Sequence, residues 1–167
     1  MTGRYSVVIP AWNAEATIGP ALASVMGQTM PAAAIFLVDD GSTDGTAEAA
    51  KAACPLVTVI AKENGGPGSA TTAGLLAART EYVATLDADD IWLPDKMARQ
   101  IGLLGADAGM TAAFSLARTF ADGETPDPEY AEPATRLWTR TTMVYRTKAA
   151  HEIGEMRDFP GFLGDLV

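Results

Sequence analysis

This sequence predicts an α/β fold: one domain built on a mostly parallel sheet with helices on both faces. Three observations carry that expectation. Four short apolar runs alternate with helix-like segments, which is the pattern of βαβ units. The runs are almost continuously hydrophobic, as strands covered on both faces are. The chain has 167 residues, 48% of them hydrophobic, enough for one domain with a substantial core.

The elements follow in order. "YSVVIP" (5–10) reads as a buried strand. Asn13 is placed to cap a helix whose Ile18, Leu22, Val25 and Met26 share one apolar face. "AIFLV" (34–38) is the second strand, and "DDGSTDGT" the turn after it. Asp44 is expected to cap the Ala-rich helix "TAEAAKAA". "LVTVI" (56–60) is the third strand. A Gly-rich loop, "NGGPGS", then precedes a helix in "ATTAGLLAAR". "YVATL" (82–86) is the fourth strand, and Pro94 opens the helix "PDKMARQIGLL".

Beyond Leu104 the pattern weakens. "GMTAAFSLARTF" and "RLWTRTTMVY" read as strands and "TKAAHEIG" as a short helix. The polar, Pro-rich stretch 121–134 reads as a surface loop. No internal repeat interrupts the chain.

Charge and composition narrow the function. The net charge of −9 lacks the basic footprint that nucleic acid or an anionic membrane requires. No apolar run approaches a membrane span, and "MTGRYSVVIP" has no signal-peptide pattern, so a cytoplasmic location is expected. One cysteine, Cys54, and one histidine, His151, exclude a Cys/His zinc site, and both read as structural. A metal would have to sit on oxygen ligands, hence magnesium, manganese or calcium.

Ligands of open α/β sheets bind at the carboxyl ends of the strands. "AWN", Asp39-Asp40 and Asp87-Ala88-Asp89-Asp90 all lie there. The last stretch has three readings: a D-x-D metal clamp, an aspartyl nucleophile of the haloacid-dehalogenase type with Asp87 attacking phosphate, or a solvated acidic turn. The nucleophile reading conflicts with position, since that motif belongs after the first strand of its fold. Calcium loops starting at Asp40 or Asp87 fail, because Lys51 and Ala98 stand where a glutamate is needed. "GGPGSAT" lacks the third glycine of a dinucleotide fingerprint. Asp39 and Asp40 supply one carboxylate more than the turn needs, and a carboxylate can accept the imide N–H of uracil. Trp12 either stacks on a base or packs.

Together, "SVVIPAWNAEATIGPALASVMGQT", "IFLVDDGSTDGT", "NGGPGSATTAGL" and "YVATLDADDIWLPDKM" resemble the family-2 glycosyltransferases of the GT-A fold, across about the first hundred residues. The resemblance implies a nucleotide-sugar donor, here a UDP-sugar, a divalent cation (manganese or magnesium), a carbohydrate or lipid-linked hydroxyl acceptor, and inversion at the anomeric carbon. It implies that Pro10, Ala11, Trp12, Asn13, Glu15, Asn64 and Gly66 line the nucleotide-sugar pocket and that Asp40, with Asp39, reads the base. Asp89 would be the main metal ligand, with Asp87 near the ribose and metal. The family's Ala-Arg-Asn is Ala70-Thr71-Thr72 here, so its arginine is absent. Asp165 in "FLGDLV" matches the family's catalytic base, with Gly164 in place of its acidic neighbour, and Asp158 is the alternative.

The expected organisation is a nucleotide-sugar-binding half at 1–104 and an abbreviated acceptor-binding half at 105–167. A rival reading of the same fold is a module that holds nucleotide-sugar without transferring it. Homo-oligomerisation is left open by the sequence.

Overall fold

A computed structural model describes residues 3–120 and 139–156. Six strands form one sheet in the order β3-β2-β1-β4-β6-β5. They are β1 (Tyr5–Ala11), β2 (Ala34–Asp39), β3 (Val57–Ala61), β4 (Tyr82–Thr85), β5 (Ala112–Phe114) and β6 (Met143–Arg146). The first four run parallel, and β6 is antiparallel to both β4 and β5. Strands of both expected halves therefore share one sheet. The helices are α1 (Ile18–Met26), α2 (Thr46–Ala53), α3 (Gly66–Ala77), α4 (Lys96–Ala106) and α5 (Thr147–Ile153).

Every residue of β1 is buried, as a central strand covered on both faces requires. Alternation then sorts its side chains. Tyr5, Val7 and Ile9 point into a core shared with Leu22 and Val25 of α1, Ala50 of α2 and Met97, Ile101 and Leu104 of α4. Val8 faces the opposite core, with Ala70 and Leu75 of α3 and Ala150 of α5. Gly74 lets α3 lie against the sheet: a Cβ there would sit 2.2 Å from Val8 Cγ1.

Register places the site. Ala11 of β1 lies opposite Asp39 of β2, and Asp39 opposite Ala61 of β3. On the other side, pairing of β1 with β4 ends at Val8 and Thr85. Strand β4 thus stops short, and the loop carrying Asp87, Asp89 and Asp90 turns out beside the last residues of β1.

Several boundaries differ from expectation. Asn13 does not cap α1, which starts at Ile18 after Thr17; its side chain bonds to the loop after β2 instead. Asp44 does not cap α2 either: Gly45 is the N-cap, and Asp44, one residue before it, accepts the backbone N–H of Thr46 at Oδ1 (3.1 Å) in a local turn. Most of "NGGPGS" is the first turn of α3 rather than loop, with Pro67 in that turn. The strand in "GMTAAFSLARTF" is only three residues long, and "RLWTRTTMVY" contains a 3₁₀ turn (Arg140–Thr142) before β6. The loop expected at 121–134 lies outside the described residues, as do Asp158 and Asp165.

Candidate active site

Two loops at the carboxyl edge are interlocked. The backbone N–H groups of Asn13, Ala14 and Glu15 donate to Ser42 Oγ (3.0 Å), Thr46 Oγ1 (2.8 Å) and Asp44 Oδ2 (3.1 Å). In return Thr43 N–H donates to Asn13 Oδ1 at 2.8 Å and Gly45 N–H to Glu15 Oε2 at 2.9 Å. A Cβ on Gly45 would meet Glu15 Cδ at 2.9 Å, so a larger residue there would push that carboxylate aside. Asn13 takes φ +49°, a left-handed conformation that asparagine tolerates better than most residues. Asn13 and Glu15 therefore hold one loop to the other.

Trp12, at the tip of this clasp, is 60% exposed. It does not pack in the core, and an exposed indole beside a polar edge is a stacking surface.

The two carboxylates after β2 have different surroundings. Asp39 is half-buried, and its Oδ1 accepts Ser42 N–H at 2.9 Å. Asp40 is buried and fully engaged. It meets Lys62 Nζ at 2.5 Å and accepts the backbone N–H of Gly65 (3.1 Å) and Gly66 (2.8 Å). It anchors the first turn of α3, including Gly66, whose φ of +85° suits glycine. Gly41, at φ +75°, lies so near Asn64 that a Cβ would be 3.0 Å from the Asn64 nitrogen. The loops after β2 and β3 are thereby in contact, with Asn64 exposed at the rim.

The third loop carries the acid. Asp87 is half-buried and Asp89 exposed. Asp90 N–H closes the turn onto the Asp87 carbonyl at 3.1 Å. Burial pushes the Asp87 carboxyl up to about 6; the Arg140 guanidinium opposes this, and Asp90 and Asp89 add to it. Burial also raises Asp90. Trp92 is buried and donates Nε1–H to the Thr141 carbonyl at 3.1 Å.

Among the described residues no three Asp, Glu, His or Cys side chains gather as a complete metal cage. The donor set nonetheless fits a hard divalent cation held in part by its substrate. Asp87 and Asp89 offer carboxylate oxygens, and the burial that raises Asp87 leaves its charged form poorly solvated, a cost that a cation would offset. Magnesium and manganese sites of this kind use one or two carboxylates together with substrate phosphates.

The family model described as Glycosyl transferase family 2 matches residues 6–159. The chain belongs to glycosyl transferase family 2. This family-2 chain is 37% identical over 118 residues to the succinoglycan biosynthesis protein ExoO of Rhizobium meliloti, an alignment covering 70% of the chain and 34% of ExoO. Among solved structures it resembles S. aureus TarS (residues 1–349) in complex with UDP-GlcNAc, with a TM-score of 0.72 and 23% identity over 90% of this chain and 47% of that one. The mannosyltransferase PcManGT of Pyrobaculum calidifontis, in complex with GDP-Man and Mn2+, gives 0.74 and 23%, over 91% and 47%. At these identities the likeness shows the fold, which is the GT-A type expected from the sequence. The chain spans about a third of the length of the curated relatives it matches.

Two residues of this edge escaped sequence reading. Lys62 is the cation just after β3, and its adjacency to Asp40 follows only from the strand order. Arg140 reaches Asp87 because β6 returns beside β4. His151 Nε2 lies 2.9 Å from the Leu75 carbonyl, and Cys54 is fully buried.

Proposed function

We propose that this chain transfers a sugar from a UDP-sugar to a hydroxyl acceptor, with inversion at the anomeric carbon. The observation that carries the reading is the convergence of an exposed Trp12, a half-buried Asp39 and the Asp87–Asp89 pair on one sheet edge. Trp12 stacks on the base and Asp39 accepts its imide N–H. Asp40, occupied by Lys62 and the α3 turn, serves by shaping the wall. Asn64 and Gly66 line the sugar–phosphate side, and Pro10 and Ala11 form the floor. Asp87 and Asp89 hold a divalent cation, manganese or magnesium, which when bound supplies positive charge to the leaving diphosphate.

In the transfer, a base takes the acceptor hydroxyl's proton as the oxygen bonds to the anomeric carbon from the far face. The bond to the diphosphate oxygen breaks, and its electron pair leaves with the nucleotide. Asp165 is the proposed base, with Asp158 the alternative. Residues 1–104 form the donor side and 105–167 contribute to the acceptor side, where a carbohydrate or lipid-linked hydroxyl would sit. The whole reading extends the properties of longer relatives to this chain.

The test is a thermal-shift panel of UDP, GDP and their sugars with and without Mn2+, followed by transfer assays. A ligand at 100 times its Kd stabilises by roughly 2.7 kcal/mol. A stabilising effect from UDP that needs Mn2+ is expected; no shift with any nucleotide would overturn the reading.

A nucleotide-sugar-binding module remains the second reading, favoured by one observation. The third motif presents Thr71 and Thr72, whose hydroxyls are spent on the carbonyls of Pro67 and Gly68. Donor binding without transfer to any acceptor tried would select it.

A further inference from the structure

The loop that carries Asp87, Asp89 and Asp90 is held at both ends. At its start Leu86, fully buried, donates its N–H to the Val8 carbonyl of β1 at 3.0 Å. At its end, residues 92–97 are tied to the carboxyl end of α1. Trp92 N–H donates to Ser24 Oγ (3.1 Å), and Thr29 N–H donates to the Pro94 carbonyl (2.8 Å). Gln28 adds two bonds: its Nε2 donates to the Leu93 carbonyl (2.8 Å), and its Oε1 accepts the Met97 N–H (3.1 Å). The same Nε2 also donates to the Ser24 carbonyl at 3.1 Å. Gln28 is 6% exposed, and both ends of its amide are engaged.

The bond to Met97 acts as a helix cap. Helix α4 starts at Lys96, so Met97 is its second residue, whose N–H an N-cap side chain ordinarily takes. The N-cap here is Asp95, a residue type suited to that task, yet it makes no capping bond; its carboxylate meets Arg99 at 2.6 Å instead. Gln28, 69 positions before Met97, supplies the cap. A local cap would stabilise α4 equally well. A cap from α1 also fixes where the acidic loop ends, relative to the helix that begins just after the Asn13–Glu15 clasp.

We infer that Gln28 is a positioning residue for the metal-binding loop. Asp89 is exposed but lies between buried Ala88 and buried Trp92, so the backbone on either side places its carboxylate. Gln28 touches neither metal nor nucleotide; it acts through Asp89. The inference rests on the nucleotide-sugar reading above, with Asp87 and Asp89 as metal ligands. Without Gln28 the end of the loop is released, and the two carboxylates no longer keep one spacing for one cation.

The experiment is a double-mutant cycle, read by titration calorimetry of UDP in saturating Mn2+ at a temperature where circular dichroism shows every variant folded. Gln28→Met keeps the length of the side chain and removes its three bonds. It should weaken UDP by about 10-fold in the native background, the low end of the effect of residues that support metal ligands. In an Asp89→Asn background the same change should weaken UDP by less than about twofold, because the group it positions is already lost. Ser24→Ala, which frees the Trp92 N–H, is the milder variant and carries the test if Gln28→Met does not fold. It should lose about threefold, with the same dependence on Asp89. Equal losses in both backgrounds would make these residues purely structural and overturn the proposal, as would no loss in the native background. If Mn2+ does not strengthen UDP binding to the native chain, the metal reading fails first, and this inference fails with it.

Discussion

Lys62 Nζ lies 2.5 Å from Asp40 Oδ1 and ties the end of β3 to the end of β2. The Asp40 side chain is 4% exposed, and the same carboxylate takes the N–H groups of Gly65 and Gly66. Adjacent residues have thus divided two tasks. Asp40 organises the edge, and Asp39, half-buried with one oxygen on Ser42, faces it.

The Asp40→Ala change should therefore act on stability. It leaves a half-buried ammonium and two backbone donors without their acceptor, at a cost of roughly 3–5 kcal/mol. Asp39→Asn should leave stability nearly unchanged and weaken UDP more than GDP, by roughly 1.5–3 kcal/mol. Denaturant melts of both variants, with binding of each nucleotide, check the division. A base-selective loss in Asp40→Ala, at native stability, would reverse the two roles.

Asp89→Asn should abolish the Mn2+ dependence of UDP binding and spare the fold. Asp89 is exposed at a loop beyond β4 and contributes no core contact. UDP binding that still strengthens with Mn2+ in this variant would rule out Asp89 as a principal ligand. The unfolding midpoint of the variant supplies the control.

The pH dependence follows from Asp87. Burial raises its folded pKa from 3.8 to about 6. Between those values the folded state holds a proton that the unfolded state has lost, so stability of the metal-free chain falls as pH rises from about 4 to 6. Below that window the contribution vanishes, and above it the cost is fully present. Mn2+ needs the ionised carboxylate, so its affinity should rise as pH passes about 6. Comparing native chain and Asp87→Asn across pH 3.5–7.5 isolates the effect. A stability difference that does not change with pH would refute it.

How much of this was legible beforehand depends on the range of each interaction. The parallel strands were, because unbroken apolar runs such as "SVVI" report burial on both faces locally. The placement of Asp87 and Asp89 just past the end of β4 was, because that position is local too. The clasp between Asn13 and Thr43 was not, since its partners are 30 residues apart and meet only through the pairing of β1 with β2. For the same reason Asn13 looked like a helix cap. The start of α3 was misplaced because glycine is a poor helix former, and a distant carboxylate, Asp40, stabilises the turn that local propensity disfavours. Strands β5 and β6 do fall in the two segments expected to be strands, but they span only three and four residues, too short for a period to fix their bounds.

Asp165→Asn should separate donor binding from transfer. The residue is the base proposed above and stands well beyond the donor motifs in sequence. UDP affinity should be nearly unchanged, and transfer should fall on the order of 10²–10⁴-fold, the contribution of a positioned base. Native transfer rates in this variant would move the role to Asp158.

Lys96 offers the clearest stability test. It is 9% exposed, its ammonium lies 4.2 Å from the centre of the Trp92 ring, and Nζ has no hydrogen-bond partner. The ring face recovers part of the desolvation cost, about 2 kcal/mol when such a contact is dry. Burial still pushes the Lys96 pKa down from 10.5 to about 7. Below pH 7 the group is charged in both states, and the fold carries the whole penalty. Between pH 7 and 10.5 the folded state has released a proton that the unfolded state keeps, so this contribution raises stability as pH rises. Lys96→Met fills similar space without charge. Its melting temperature should exceed the native value most at pH 6, by a few degrees, given about 2–4 °C per kcal/mol for a chain of this size. The gap should narrow toward pH 10 as the native lysine approaches neutrality in both states. A methionine variant less stable than the native chain at pH 6 would mean that the ammonium stabilises this site rather than burdening it.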